Sequence, residues 1–119
     1  MTRTFIVDID GTICITPKNA DGSFDYARST PLIDRIEKIN ELYDEGHTII
    51  YWTARGTSSG IDWLNFTTIQ LKNWNCKYHY ARVGKPSYDV WIDDKAFNAD
   101  NLDARFNIFS TGSVQKLVH

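Results

Sequence analysis

The sequence has little of several things, and each shortage excludes something. At 119 residues it lacks the length for two hydrophobic cores, so one domain spanning 1–119 is expected. It has two cysteines, Cys14 and Cys76, and their context is not that of a disulfide scaffold. It has no basic excess: 13 Lys and Arg against 15 Asp and Glu leave a formal charge of −2. That balance removes the electrostatic case for nucleic acid as a general partner. No apolar run is long enough to span a bilayer, so no membrane association is expected, and no stretch resembles a signal peptide. A soluble protein of a reducing compartment, most simply the cytoplasm, is the expectation. Internal repeats and low-complexity tracts are absent too. What is present is an ordinary apolar fraction, 42%, and an unusual number of aromatics for so small a core: six Tyr, six Phe and four Trp.

One stretch organises the rest, Phe5-Ile6-Val7-Asp8-Ile9-Asp10-Gly11-Thr12. Its apolar start reads as a strand over about residues 4–9, buried on both faces. Gly11-Thr12 then starts a turn. Asp8 and Asp10 fall at the carboxyl end of that strand, where open α/β sheets place their ligands. A period of two leans both side chains the same way. Two like charges so close need a cation or a proton between them, and Mg²⁺ is the natural hard, oxygen-seeking cation. Alone, the stretch also reads as an ordinary polar Asp-Gly turn.

The chain then alternates. Residues 13–29 are too long for a tight βα turn and read as a short hairpin-like flap, in which Tyr26 and Arg28 are candidates for substrate contact or for a solvated loop surface. Thr30-Pro31 reads as the N-cap and first position of a helix. Leu32, Ile33, Ile36, Ile39, Leu42 and Tyr43 give that helix one apolar face, and Gly46 ends it. His47 to Thr53 is a second buried strand, with His47 at the end away from any chemistry. The strand–helix–strand unit implies a parallel sheet. A polar turn, Ala54 to Gly60, leads into a second helix, about 61–75, with Trp63, Leu64, Phe66, Ile69, Leu71 and Trp74 as its apolar residues. Lys77–Val83 is a short third strand, in which His79 reads as core or surface. Tyr88–Ile92 is a fourth, followed by Asp93-Asp94 and a short helix near Lys95-Ala96. Phe106–Phe109 reads as a last edge strand.

In a parallel sheet the carboxyl ends of the strands share one edge. Asp8, Asp10, Thr53, Lys85, Asp93 and Asp94 all fall at that edge and can converge. The set supplies what phosphoryl transfer needs: carboxylates for a metal and for proton transfer, and a hydroxyl and an ammonium for phosphate oxygens.

Asp8-x-Asp10-Gly11-Thr12, Thr53 after an apolar strand, Lys85, and Asp93-Asp94 resemble the four ordered motifs of the haloacid dehalogenase (HAD) superfamily, over about residues 4–100. The phrases Tyr51-Trp-Thr-Ala-Arg-Gly-Thr57 and Gly84-Lys-Pro-Ser-Tyr-Asp-Val-Trp-Ile-Asp-Asp-Lys-Ala96 are similar to a subgroup linked to capsule or lipopolysaccharide biosynthesis. The resemblance implies an α/β fold, a three-layer Rossmann-like parallel sheet with helices on both faces. It implies a Mg²⁺-dependent phosphatase acting on a phosphate monoester, a sugar phosphate or related small metabolite. Asp8 would be the nucleophile that forms an aspartyl-phosphate, and Asp10 the general acid and base. Thr53 and Lys85 would hold the phosphoryl group. Asp8, Asp10 through its main-chain carbonyl, Asp93 and Asp94 would hold the Mg²⁺. Ala54, Arg55 and Trp63, just beyond Thr53, are further candidates for substrate contact. The superfamily's cap insertions have no room here, so the site is expected to be open, which suits large substrates or closure by an oligomer.

Other readings compete. A nucleotide or polynucleotide phosphatase is disfavoured by the lack of a basic stripe. A phospho-receiver module carries its phosphorylated Asp at the end of the third strand, and Lys77–Val83 ends without one. A non-catalytic phosphate-binding module would retain the site without turnover.

Overall fold

The structure is a computed structural model and describes residues 2–103. The described residues divide into two compact units, one ending at Ser87 and the other beginning at Tyr88. The expected edge strand Phe106–Phe109 lies outside the described residues.

The first unit is α/β. Strand β1 (Thr4–Val7) is followed by two short strands, β2 (Cys14–Ile15) and β3 (Thr30–Pro31). Helix α1 (Ile33–Asp44), strand β4 (Thr48–Trp52), helix α2 (Leu64–Asn73) and strand β5 (Tyr80–Arg82) complete it. β1, β4 and β5 form a parallel sheet in that order. Thr4 pairs with Thr48 and Val7 with Tyr51, while Ile50 pairs with Tyr80 and Trp52 with Arg82. β2 and β3 pair antiparallel, Cys14 with Pro31 and Ile15 with Thr30. This places a hairpin-like flap between β1 and α1, with a second bridge from Lys18 to Phe24 and a 3₁₀ turn at Tyr26–Arg28.

α1 forms where the apolar spacing places it. Ile36, Ile39 and Leu42 are buried together with Ile9, Ile13, Ile49 and Leu71. Each such side chain contributes about 1.5–3 kcal/mol relative to exposure. The helix ends as its glycine dictates: Gly46 has φ +95°, its N–H donates to Tyr43 O, and the His47 N–H donates to Leu42 O. That pair of bonds satisfies carbonyls the last turn leaves over. α2 ends in the same way on Asn75, whose φ of +58° is tolerated by the short polar side chain. His47 accepts the Arg3 N–H at its Nδ1, and His79 accepts that of Ile49, so both imidazoles tie backbone at the amino end of β4.

Five expectations change. Thr30-Pro31 is a strand of the flap, not a helix start; α1 begins at Ile33 after Leu32, because Thr30 pairs with Ile15. β1 is not buried on both faces, since Ile6 is exposed. α2 begins at Leu64, and its buried residues are Thr67, Gln70 and Leu71, while Leu64 and Ile69 face outward. The helix turns a largely polar stripe inward, and of the apolar residues read from its sequence only Leu71 is fully buried. In the second unit Tyr88–Ile92 is no strand: it pairs with nothing in the sheets described, and Val90 and Ile92 are 74% and 94% exposed. Apolar alternation makes a strand only where a neighbour completes its ladder. The short helix expected near Lys95 is a 3₁₀ turn at Ala99–Asp103. Among the described residues no helix is long and apolar enough to cross a membrane.

Candidate functional site

The carboxyl end of the parallel sheet in the first unit carries Asp8, Asp10, Thr53 and Lys85, four of the six polar residues the sequence singles out. The chain leaves strand geometry after Val7 and closes a turn at once. The N–H groups of Thr12 and Ile13 both donate to Ile9 O, and Gly11 takes φ +82°, a conformation costly for any side chain. Strand periodicity therefore stops before Asp10, and the two carboxylates meet different partners rather than sharing one.

Asp8 remains open to solvent, its side chain 35% exposed. Lys85 Nζ stands 3.4 Å from its Oδ1, and the Thr12 hydroxyl donates to Oδ2 at 3.4 Å. Lys85 is itself buried, held by a backbone tie: its N–H donates to Thr53 O, and its carbonyl accepts the Thr57 hydroxyl at 2.7 Å. Thr53 is buried at the end of β4, and its Oγ1 accepts the Arg55 N–H at 3.1 Å. Ala54 O accepts the Thr57 N–H, which closes the turn. Gly56 is required there: with φ +86°, a Cβ would lie 2.0 Å from Ile61 O.

Asp10 is clamped. Arg55 grips it through two parallel bonds, Nε to Oδ2 at 2.9 Å and Nη2 to Oδ1 at 2.8 Å. This is the bidentate geometry that makes arginine–carboxylate pairs strong. The Arg55 side chain is fully buried, and that of Asp10 is 25% exposed. The remaining guanidinium nitrogen, Nη1, donates to Gln70 Oε1 at 2.7 Å and to Thr67 Oγ1 at 3.3 Å. The inward polar stripe of α2 exists to receive it. The Thr16 and Cys14 side chains also donate to Asp10 Oδ1. Burial pushes the Asp10 carboxyl up. The Arg55 hydrogen bonds and charge, with Thr16 and Cys14, outweigh that and hold it below the usual carboxylate range. Burial, with the Asp10 charge beside it, pushes the Cys14 thiol up to about 11.

The flap supplies the aromatic wall. The Arg55 guanidinium lies 4.6 Å from the centre of the Tyr26 ring, within cation–π range. Tyr26 meets Trp63 edge-on at 4.9 Å, and Trp63 meets Phe66 at 5.2 Å. The candidate contacts Arg55 and Trp63 thus face inward onto Asp10 and onto Tyr26, and Arg28 lies in the 3₁₀ turn of the flap.

Arg35, Thr67, Gln70, Thr16 and Ser29 were not legible as site residues. Arg35 is buried on α1, and its Nη1 donates to the carbonyls of Thr12 and Gly11. It thereby props the turn that carries the two aspartates. An arginine at the spacing of the apolar face, between Leu32 and Ile36, was the available signal. For Gln70 it was the spacing Thr67-x-x-Gln70-Leu71, which puts two polar side chains on one stripe with an apolar one.

Asp93 and Asp94 belong to the second unit. There the Asp93 carboxylate accepts the Lys95 N–H at 2.9 Å and Trp91 Nε1 at 3.2 Å. The Lys95 bond and then the Trp91 bond lower its pKa. Among the described residues, no group of three or more His, Cys, Asp or Glu side chains is gathered as a metal ion would need.

No protein-family model matches the chain, and no curated protein does. Among solved structures, the chain is similar to the crystal structure of an MCSG target from Vibrio cholerae. The two share 26% identity, each is covered over its full length, and the TM-score is 0.79. A similar α/β architecture has therefore been found in a crystal.

Proposed function

We propose that this chain is a HAD-type phosphatase that hydrolyses a phosphate monoester, a sugar phosphate or related metabolite of polysaccharide biosynthesis, through an aspartyl-phosphate on Asp8. The observation that carries the reading is the unequal treatment of two neighbouring carboxylates. Asp8 is solvent-open and faces an ammonium, whereas Asp10 is buried deeper and ion-paired. Environments that differ in this way suit one carboxylate to attack and the other to proton transfer. The reading brings with it the finer fold, a three-layer sheet with helices on both faces and no cap domain. Mg²⁺ enters it through the sequence pattern.

On this reading an Asp8 oxygen attacks phosphorus, and the bond from phosphorus to the ester oxygen breaks. Lys85 offsets the repulsion between the carboxylate and the anionic ester, and the Thr12 hydroxyl steadies the second Asp8 oxygen. The leaving oxygen takes one proton. Water then attacks the aspartyl-phosphate, the bond to Asp8 breaks, and inorganic phosphate departs. Asp10, held as a carboxylate by Arg55, is in the form that accepts a proton from that water. To protonate the leaving group it must first gain a proton against the pull of Arg55. A monoester with a second pKa of about 6 is able to bring that proton with it.

The test is release of phosphate from a panel of phosphorylated sugars, nucleotides and aryl phosphates, with and without Mg²⁺. Wild-type protein should turn over at least one sugar phosphate, lose activity with a chelator, and regain it with Mg²⁺. Asp8→Asn should abolish turnover while the protein stays folded. Activity above a few per cent in Asp8→Asn, or none in the wild type on any substrate, refutes the proposal.

A further inference from the structure

Gln70 makes two bonds with opposite demands, one buried and one part-buried. Its carboxamide oxygen accepts Arg55 Nη1 at 2.7 Å, and its carboxamide nitrogen donates to Tyr26 O at 2.8 Å. Only one orientation of the amide satisfies both. Turned over, it would set N–H groups against the guanidinium and an oxygen against a carbonyl. A single side chain on α2 thus joins the arginine that clamps Asp10 to the 3₁₀ turn of the flap.

The flap is fastened to the same pair in two more ways. The Thr16 hydroxyl donates to Asp10 Oδ1, and Thr16 is itself within hydrogen-bond distance of the Ser29 hydroxyl, at 2.7 Å. The Tyr26 ring lies against the Arg55 guanidinium. Both ends of the flap therefore report to Asp10 and Arg55, and Gln70, on α2, bonds both Arg55 and the flap. We infer that Gln70 is a positioning residue that couples the seating of the 16–29 flap to the orientation of Asp10, acting through Arg55. Its consequence for turnover rests on the phosphatase reading; the coupling itself does not.

Asp10 is effective in proton transfer only if its carboxylate is aimed, and small misplacements of a reacting group are costly. A seated flap holds Thr16 and Tyr26 against the pair, and Gln70 holds the flap seated. A released flap removes the Thr16 bond from Asp10 and one face of the guanidinium's surroundings together. Flap and carboxylate then change state as a unit.

The experiment uses the full chain and two readouts that need no substrate. The first is hydrogen exchange of the Asp25, Arg28 and Ser29 amides, which are bonded within the flap to Pro17 O, Asp25 O and Tyr26 O. The second is the carboxyl-carbon resonance of Asp10 at fixed pH. Gln70→Leu removes both bonds at similar volume. It should speed flap exchange about fivefold or more, what one neutral hydrogen bond contributes, and shift the Asp10 resonance. Gln70→Glu keeps an acceptor for Arg55 but sets a carboxylate against Tyr26 O. It should loosen the flap at least as much and draw the guanidinium off Asp10. Thr68→Ala, on the same helix with its hydroxyl bonded only to Asn65 O among flap, turn and helix, should move neither. The Ile36 and Thr53 amides should keep their protection throughout, which separates flap release from unfolding. Where the wild type turns over a phosphate ester, both Gln70 variants should lower kcat more than they raise KM.

Flap exchange that stays at the wild-type rate in Gln70→Leu overturns the inference. So does a loosened flap with an unmoved Asp10 resonance. If Gln70→Leu does not fold, Gln70→Glu decides by the same two readouts. A wild-type protein without phosphatase activity would remove the functional reading, while exchange and resonance would still decide the coupling.

Discussion

The Arg55–Asp10 pair offers the sharpest test of the site's physics, and Arg55→Met is the perturbation. Methionine fills much of the space and carries no charge, so Asp10 is left three-quarters buried without its cation. Breaking a buried pair by removing one partner costs about 3–5 kcal/mol. Asp10 keeps a quarter of its side chain in water and retains Thr16, so a loss of about 2–4 kcal/mol at pH 7 is expected. The pH dependence identifies the cause. In the wild type the folded Asp10 is held below its ordinary value near 3.8. Its contribution is therefore complete above that value and is lost as the pH falls through the lower folded one. In Arg55→Met the guanidinium no longer opposes burial, so the folded Asp10 moves upward. The variant is then most destabilised above that raised value and recovers as Asp10 takes a proton. The difference between the two proteins should narrow from pH 7 towards pH 3.5. Urea unfolding at pH 7, 5 and 3.5, followed by tryptophan fluorescence, measures it. A difference below about 1 kcal/mol at pH 7, or one that is constant across the three values, would refute the assignment of a stabilising buried ion pair.

Three further outcomes are expected. Asp10→Asn should give a burst of about one equivalent of p-nitrophenol from an aryl phosphate, because a good leaving group needs little protonation. Slow turnover should follow, and sugar-phosphate turnover should fall about 10²–10⁴-fold; a single-turnover assay in which both substrates lose the same factor assigns Asp10 another role. Gly56→Ala should cost at least about 2 kcal/mol, because a positive φ and a Cβ 2.0 Å from Ile61 O both oppose it; a thermal melt unchanged from the wild type contradicts that turn. Burial, aided at Cys14 by the Asp10 charge, pushes the thiols of Cys14 and Cys76 up to about 11 from 9.0. Alkylation at pH 8 should therefore run roughly 100-fold slower than in urea-unfolded chain, from the thiolate fraction alone; rates equal to those of the unfolded protein would contradict the burial.

The elements that depend on neighbours in sequence were legible from it. The run Phe5-Ile6-Val7, the α1 face Ile36, Ile39 and Leu42, the cap at Gly46 and the turn at Gly11 follow from periods and backbone freedom that a few consecutive residues express. The parallel pairing of β1 with β4 follows from one helix lying between two strands. So does the arrival of Asp8, Thr53 and Lys85 at the carboxyl end of the sheet in the first unit, with Lys85 Nζ 3.4 Å from Asp8. The tertiary structure alone decided what Asp10 does. Its partner Arg55 is 45 residues away, Gln70 is on another element, and Thr16 and Ser29 come from a flap whose pairing made Thr30-Pro31 a strand. No local period encodes a guanidinium's choice among acceptors, because that choice depends on which acceptors the packed elements bring within about 3 Å. The same reason turned α2. A helix that must receive a buried cation puts Thr67 and Gln70 inside and leaves Ile69 in water, since an unpaired buried charge costs more than an exposed isoleucine.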